Sequence, residues 1–256
     1  KGTIKDQGKI TIPAYLWKIA VIMPRNQGLA NVNDASDVEV IAVAVANDST
    51  STNPWLADHV VGGSILFPGT GFVELAIRAG DQVGCSRLTE LTLQAPLVVP
   101  ERGGVQIQVI VSRGGQNRGE ESRNVTIHSR QDDGPWTQHA EGVLGLPTEA
   151  APELEWPPSG AEALEVEQLY SELASAGLAY GATFRGLKAA WKSGDDIYAE
   201  VTLPQQNTGA RFGLHPALLD ACLHAATFTG MFTEGAVLPF AWSGVELHAA
   251  GATKVR

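Results

Sequence analysis

The spacing of apolar and polar residues predicts a buried helix followed by a run of strands in the first half of the chain. The run of residues 72–77 has apolar residues at helical spacing and follows a Pro-Gly turn, with Thr70 at the position of an N-cap. Residues 38–45 are almost all apolar, which indicates a strand covered on both faces. Beyond the helix apolar and polar residues alternate, which predicts antiparallel strands at residues 88–93, 97–99, 104–112, 123–130 and 137–144. This order indicates a sheet curled around the helix.

The second half of the chain repeats this order of elements after a linker. Residues 147–160 contain four prolines among acidic side chains, a composition typical of linkers. An amphipathic helix is predicted at residues 166–176 and a second apolar helix at residues 217–229, where Pro216 suits the first turn. Strands are predicted at residues 187–191, 197–203 and 245–248. The pattern therefore indicates a second unit of sheet and helix.

Net charge and cysteine content limit the partners and the compartment. The formal net charge is −10 over 256 residues, which disfavours nucleic acid and anionic membranes as main partners. Cys85 and Cys222 are too few for a disulfide framework and have no metal-binding spacing, which favours a reducing cytoplasm. No uninterrupted apolar stretch reaches the roughly 18 residues of a transmembrane helix. We therefore expect a cytoplasmic protein with no nucleic acid and no membrane as partner.

His59 lies in a stretch that combines a titratable side chain with a helix N-terminus. It is followed by Gly62-Gly63, a short apolar strand, the Pro68-Gly69 turn and the first predicted helix. A helix N-terminus presents unpaired N–H groups and a partial positive charge, which suit a polarised carbonyl oxygen. A neutral histidine beside it can accept a proton while the backbone holds the resulting negative charge. The alternative is a buried structural histidine beside a turn.

Asp220 and His224 lie four residues apart on the second apolar helix and so share one face. Their neighbours on that helix are apolar, and an aspartate in such surroundings either pairs or takes up a proton, because burial disfavours its charged form. A carboxylic acid that stays neutral near pH 7 is suited to general acid catalysis. The alternative is a structural Asp–His pair within one helix.

Other motifs in the sequence do not meet the requirements of the binding sites that they resemble. The Gly69–Glu74 region nearly matches a dinucleotide-binding fingerprint, but Glu74 replaces the third glycine and would repel a phosphate. The six histidines show no metal-ligand spacing, so no metal is expected. His128 and His139 lie in strand patterns and are expected at the surface or rim.

Two spaced motifs and two segments resemble dehydratase domains of modular type I polyketide synthases. The motifs are His59-x3-Gly63-x4-Pro68 and Asp220-x3-His224, the latter within HPALLDACLH. The segment LAYGATFRGL, which contains Tyr180 and Phe184, resembles the tyrosine-glycine segment of the family, and LPFAW at residues 238–242 resembles a further family element. The resemblance covers about residues 50–250. Ala182 departs from it, where the family usually has proline.

The fold that the resemblance implies is α+β, a double hot dog in which two antiparallel sheets each wrap around a central helix. The N-terminal hot dog is assigned to residues 1–146, with residues 1–45 poorly placed, and residues 147–160 form the linker. The C-terminal hot dog is assigned to residues 161–256 and is expected to stop short of its last strands.

The implied activity is that of a hydro-lyase, which dehydrates a 3-hydroxyacyl thioester to the 2,3-enoyl thioester during polyketide chain extension. By resemblance His59 is the catalytic base and Asp220 the catalytic acid, and His224 orients Asp220 or the hydroxyl. The substrate-binding residues are His224 and four others, namely Gly63, Pro68, Tyr180 and Phe184. No cofactor or metal is implied, because the phosphopantetheine arm arrives with the carrier-bound substrate.

The implied partners are the acyl carrier protein of the same module and the neighbouring synthase domains, with a homodimer as a further candidate. Two alternatives stay open. One is a dehydratase-like isomerase or cyclase, and loss of Pro68 or Asp220 from the motifs would favour it, yet both are present. The other is a non-catalytic structural domain, against which the intact His–Asp pair counts.

Overall fold

The computed structural model describes residues 17–22, 39–45, 53–101, 103–113, 122–148, 156–204, 212–230 and 237–256. The first-half strands are β1 (Trp17–Ile22), β2 (Glu39–Val45), β3 (His59–Val61), β4 (Ser64–Ile65), β5 (Arg87–Leu93), β6 (Gln106–Arg113), β7 (Arg123–Arg130) and β8 (Thr137–Gly145). The later strands are β9 (Glu162–Leu164), β10 (Leu178–Tyr180), β11 (Leu187–Ser193), β12 (Asp196–Thr202), β13 (Ala241–Val245) and β14 (Lys254–Val255). The α-helices are α1 (Gly69–Asp81), α2 (Leu169–Ser175) and α3 (Pro216–Leu223).

The largest sheet packs around α1. Its seven strands are all antiparallel, in the order β1-β2-β6-β7-β8-β5-β13. Alternate residues of β7 are buried, as period-two spacing predicts, and they meet the apolar face of α1. Burial of each large apolar side chain stabilises the fold by about 1.5–3 kcal/mol. The core includes Phe72, Val73, Ala76, Leu88, Leu91, Val109, Val125, Ile127 and Leu144. The predicted sheet around a buried helix is therefore confirmed.

A second, smaller sheet and α3 form the other unit. Its four strands have the order β14-β12-β11-β9 and pack with α2 and α3 around a separate core. α3 is shorter than predicted, because the chain tightens into a 3-10 helix at His224–Thr229, which ends at Gly230 in the left-handed conformation.

A three-stranded sheet joins the two halves of the chain. β3 lies between β4 and β10, and its pairing with β10 sets His59 opposite Tyr180. Gly62 and Gly63 form the turn between β3 and β4 with φ values of +56° and +82°, a left-handed conformation that suits glycine in a two-residue hairpin. A residue from each half is therefore held in register by main-chain hydrogen bonds.

Three expectations about local structure are wrong. Thr70 is not the N-cap of α1, because the helix begins at Gly69 after Pro68, which has no capping side chain. Residues 97–99 form only an isolated bridge between Val98 and Leu66. The last long strand is Ala241–Val245 rather than residues 245–248, and it adds to the edge of the first sheet through β5.

His139 is buried, contrary to the expected surface position. A register irregularity between β7 and β8 places both His139 and Ala140 on the inner face of β8. The ring donates from Nδ1 to the carbonyl of Ala95 at 3.0 Å, and its Nε2 lies 2.7 Å from the hydroxyl of Ser129. His128, one strand away, is partly exposed.

Among the described residues, none of the helices is long and apolar enough to cross a membrane.

Candidate active site

His59 is held in one tautomer at the start of β3. Its side chain is buried, and Nδ1 lies 2.8 Å from the carbonyl oxygen of Leu66. Because a carbonyl only accepts hydrogen bonds, Nδ1 carries the proton in the neutral ring. The Nε2 atom therefore keeps its lone pair and can act as a base.

The surroundings of His59 favour the neutral ring. Burial is the main cause that lowers its pKa below the ordinary 6.5, while an ionised Asp220 and the hydrogen bond to Leu66 oppose that shift. The rings of Phe184 and Tyr180 lie beside it, at centroid distances of 5.0 Å and 5.7 Å. At neutral pH the imidazole is therefore unprotonated.

Asp220 and His224 form a buried pair at the end of α3. Asp220 Oδ2 lies 3.2 Å from His224 Nε2, and both side chains are nearly inaccessible to solvent. The other ring nitrogen of His224 lies 3.5 Å from the hydroxyl of Tyr170, which accepts a hydrogen bond from the Leu187 N–H at 3.0 Å. The shared helix face predicted from spacing is thus an actual contact.

Tyr180 connects the two histidines. Its ring lies 4.3 Å from that of His224 and 5.7 Å from that of His59, between centroids. Burial first, and then the charge of Asp220, raise the pKa of its hydroxyl. Tyr180 therefore remains a hydrogen-bond donor at any pH that the protein meets.

One cavity of about 670 Å³ brings these groups together. His59, Asp220, His224 and Tyr180 all line it, although they come from both halves of the chain. The remaining wall is mainly apolar and includes Phe67, Phe72, Leu93, Leu169, Leu173, Leu178, Leu223 and Leu238. A concave, mostly apolar space with a few convergent polar groups is typical of small-molecule sites.

Three other residues predicted at the site lie outside this lining. Gly63 is exposed in the β3–β4 turn, and Pro68 is buried directly before α1, between Phe67 and Gly69, which do line the cavity. Phe184 is fully buried and packs on His59 and Tyr180.

Asp58 is a site-supporting residue that sequence spacing did not reveal. Its carboxylate accepts from both the N–H and the hydroxyl of Thr183, and its carbonyl accepts from Gly181 N–H at 2.7 Å. A side chain at Gly181 would overlap this carboxylate, which explains why glycine follows Tyr180. The sequence signal for Asp58 was its position next to His59. A carboxylate on the protein surface can occupy the same position, so the signal did not identify its role.

Within the parts of the chain that the structure describes, no group of three His, Cys, Asp or Glu side chains lies close enough to share a metal ion.

Sequence comparisons identify relatives across both halves. The family profile described as polyketide synthase dehydratase domain matches residues 30–130, and that described as polyketide synthase dehydratase N-terminal domain matches residues 148–255. Polyketide synthase GfsA of Streptomyces halstedii is 50% identical over 220 residues, which cover 81% of this chain and 3% of that protein. The chain spans only 3% to 13% of the length of the curated relatives that it matches.

Solved structures agree in fold. A dehydratase from a study of substrate selection in the borrelidin and fluvirucin polyketide synthases shares 46% identity with a TM-score of 0.77, covering 85% of this chain and 80% of that one. The bifunctional dehydratase-cyclase domain of ambruticin biosynthesis shares 38% identity with a TM-score of 0.77, covering 94% and 82%. The double hot dog fold is confirmed by these neighbours. With matches in both halves and over most of a solved relative, the chain belongs to the polyketide synthase dehydratase domain family.

Proposed function

We propose that this domain removes water from a 3-hydroxyacyl chain carried as a thioester on an acyl carrier protein, and releases the 2,3-enoyl thioester. The observation that carries the proposal is the cavity that holds a neutral histidine and a separate carboxyl–histidine pair. β-Elimination needs one group that accepts the α-proton and another that protonates the departing hydroxyl. Membership of the dehydratase family supports this assignment over unrelated acid–base reactions.

In the proposed reaction His59 Nε2 accepts the α-proton. The electron pair of the broken C–H bond forms the C=C bond as the C–O bond breaks, and the hydroxyl takes the proton of Asp220 and leaves as water. His59 ends as imidazolium and Asp220 as carboxylate, so one proton must return from His59 to Asp220 before the next turnover. Each of the two groups is worth about 10²–10⁴-fold in rate.

His224 orients the proton of Asp220 in this scheme. If His224 Nδ1–H donates to the Tyr170 hydroxyl, then Nε2 is an acceptor and faces the carboxyl of Asp220. In that arrangement His224 Nε2 faces the carboxyl group that donates the proton in the proposed scheme.

The N-terminus of α1 is the proposed site for the thioester carbonyl oxygen. Gly69 lines the cavity in the first turn of this helix, where N–H groups lack the usual partner four residues earlier, although Gly71 N–H donates to the Pro68 carbonyl at 2.9 Å. Tyr180 adds a hydroxyl donor beside both histidines. Gly63 lies outside the lining, so in this proposal it shapes the hairpin that carries His59. The substrate brings its own phosphopantetheine arm, so no cofactor or metal is part of the scheme.

Relatives support the choice of a histidine and an aspartate. Two structures of the CurK dehydratase, each 25% identical to this chain, are inactive mutants, one with histidine replaced by phenylalanine and the other with aspartate replaced by asparagine. The curated relatives are far longer polyketide synthases. The proposed partners are therefore the carrier protein of the module, neighbouring synthase domains and a second copy of the chain. The proposed compartment is the cytoplasm, because neither of the two cysteines forms a disulfide.

A cyclase is the second candidate, because one neighbour combines dehydratase and cyclase activities. The test is to incubate the domain with a short 3-hydroxyacyl thioester and to follow products by mass spectrometry. We expect a product about 18 Da lighter than the substrate, the mass of one water, with a new C=C bond. With a substrate that also has a distal hydroxyl, a ring ether isomeric with the enoyl thioester would indicate the cyclase. A shifted double bond would indicate an isomerase, and no product would indicate a structural domain.

A further inference from the structure

Glu74 is a buried carboxylate that the proposed chemistry does not use. It lies in the middle of α1, only 8% exposed. Its Oε1 accepts from Gly213 N–H at 2.7 Å and its Oε2 from Leu214 N–H at 3.0 Å. Both donors belong to the second half of the chain and directly precede α3. Gly213 permits this approach, because a side chain there would crowd Glu74 and Leu247.

Thr70 makes a third hydrogen bond from the same face of α1. It precedes Glu74 by four residues, so the two side chains lie one above the other. The buried hydroxyl of Thr70 donates to the carbonyl oxygen of Pro216 at 3.0 Å. We call Thr70 and Glu74 the α1 clamp, since together they hold residues 213–216.

The clamped segment leads into the helix that carries Asp220. Pro216 is the first residue of α3, and Asp220 lies four residues later on the same face, about 6 Å along the axis. A short helix moves as a rigid body, so a shift of its first turn moves Asp220 as well. The clamp therefore determines where Asp220 lies relative to α1.

His59 is tied to the segment that leads into α1. Its Nδ1–H donates to Leu66, three residues before the helix begins, and the Leu66 N–H donates back to the His59 carbonyl at 3.1 Å. The base is thus attached to the start of α1 and the acid to one face of it. α1 is the common support of both groups.

We propose that Thr70 and Glu74 are positioning residues that set the distance and angle between Asp220 and His59, an inference that rests on the proposed function. A misplacement of about 1 Å can cost roughly 100-fold in rate even when the altered residue is remote from the chemistry. The inference goes beyond the acid and the base themselves, because it makes the position of the acid depend on two residues of the opposite half of the chain.

Burial of Glu74 is consistent with a specific role. Desolvation raises its pKa, while the two backbone hydrogen bonds and the half-exposed Arg78, at 3.5 Å, oppose that shift. A buried carboxylate costs free energy unless such partners compensate it. An apolar residue would fill the same space without these requirements, but it could not hold two N–H groups.

The experiment compares two leaving groups. Glu74→Gln places an amide donor against one of the two N–H groups, and Thr70→Val removes the hydroxyl at equal volume, whereas Thr70→Ser retains it. Each variant is assayed with a 3-hydroxyacyl thioester and with the 3-fluoroacyl thioester of the same chain length. Fluoride leaves as an anion and needs no proton from Asp220, so its departure is insensitive to the position of the acid.

Asp220→Asn is the reference for a lost acid, and Ile77→Val, in the core face of α1, is the matched control for lost stability. We expect Glu74→Gln and Thr70→Val to lower kcat roughly 10-fold to 100-fold for the hydroxyl substrate, with KM within about threefold. The loss with the fluoro substrate should be below about threefold, Thr70→Ser should restore activity, and Ile77→Val should lower only the denaturation midpoint.

Equal losses with both substrates would overturn the inference, because they would indicate a purely structural role. Unchanged kcat in both clamp variants would overturn it too. If Glu74→Gln does not fold, the Thr70→Val and Thr70→Ser pair decides alone. A wild-type domain that eliminates fluoride but never water contradicts the proposed function, whereas an active wild type with substrate-independent losses contradicts only the clamp.

Discussion

At the scale of single residues, one hydrogen bond decides what His59 can do. The Leu66 carbonyl accepts a hydrogen bond from Nδ1–H, so the lone pair of the neutral ring lies on Nε2, which can act as a base. Asp220 instead contacts a second titratable side chain, His224, whose Nε2 lies 3.2 Å from Oδ2. With other hydrogen-bond partners, the same two residues would not be divided into one base and one acid.

Substitution of these residues is the direct test of that division. We expect His59→Ala and Asp220→Asn each to lower kcat at least about 100-fold, since each removes one proton-transfer group. His224→Ala should cost less, about 10-fold, because it only orients Asp220. Steady-state kinetics measures these losses in kcat, and circular dichroism checks that each variant is folded. Equal, mild losses from all three changes would mean that the roles are wrongly assigned.

The lowered pKa of His59 predicts the acid side of the pH profile. Burial disfavours the imidazolium, so the base stays neutral below its ordinary pKa of 6.5. We expect kcat/KM to be level from about pH 8 down to about pH 6.5 and to fall only at lower pH, as His59 becomes protonated.

An NMR titration of the ring provides the control for this profile. In Asp220→Asn the pKa of His59 should stay unchanged, because the proposed resting Asp220 is already neutral. A clear decrease would indicate an ionised Asp220, whose charge raises the pKa of His59, and would contradict its role as the acid.

At the scale of elements, short connections rather than long helices align the site. The 3-10 helix Pro54–Asp58 ends on the residue before His59. The carboxylate of Asp58 holds a second 3-10 helix, Ala182–Phe184, through Thr183. β10 precedes this second helix in the chain and pairs with β3, so Tyr180 lies opposite His59. The tyrosine-glycine segment is therefore locked to the histidine strand by Asp58.

A double-mutant cycle tests this lock. Gly181→Ala should destabilise the domain by about 1–3 kcal/mol, because the added methyl overlaps the Asp58 carboxylate. Asp58→Ala should also destabilise it, by about 1–3 kcal/mol, through two lost hydrogen bonds. The double variant should be clearly less destabilised than the sum of the two, since the overlap is gone. Urea denaturation measures the free energies of unfolding. If the effects of the two single changes add up to the effect of the double variant, the contact between Asp58 and Gly181 is contradicted.

At the scale of the whole molecule, the two halves share structural elements. β13 comes from the second half of the chain but extends the first sheet, and β3 pairs with β10. Three hydrogen bonds run from α1 to residues 213–216. Separate unfolding of either half would break all of these contacts.

We therefore expect the domain to unfold as one cooperative unit. Native-state hydrogen exchange should give the same free energy of opening for central amides of β7 and β11, equal to the global value from denaturation. The physical reason is that neither core can open without exposing strands and helix ends of the other. A markedly lower value for β11 would indicate that the second half opens independently.

Local pattern was enough to predict most elements. Period-two spacing identified β5, β6, β7 and β8, and helical spacing identified α1, because both reflect which face of one segment meets apolar surroundings. One error occurred where a neighbouring strand decided the outcome, because His139 is buried through an irregular register with β7. In a second error α3 ends earlier than predicted, at Leu223, where a 3-10 helix begins.

The sequence by itself determined the chemical groups of the site and the family, since His59, Asp220 and His224 stand in ordered motifs that need no coordinates to read. Only the tertiary structure decided which of these residues lie together, and which hydrogen bonds hold them in place. The Leu66 acceptor, the Asp58 lock and the bonds from Thr70 and Glu74 to residues 213–216 join positions that no local spacing relates. Such contacts depend on how sheets and helices pack, because burial and hydrogen-bond geometry are properties of the assembled chain.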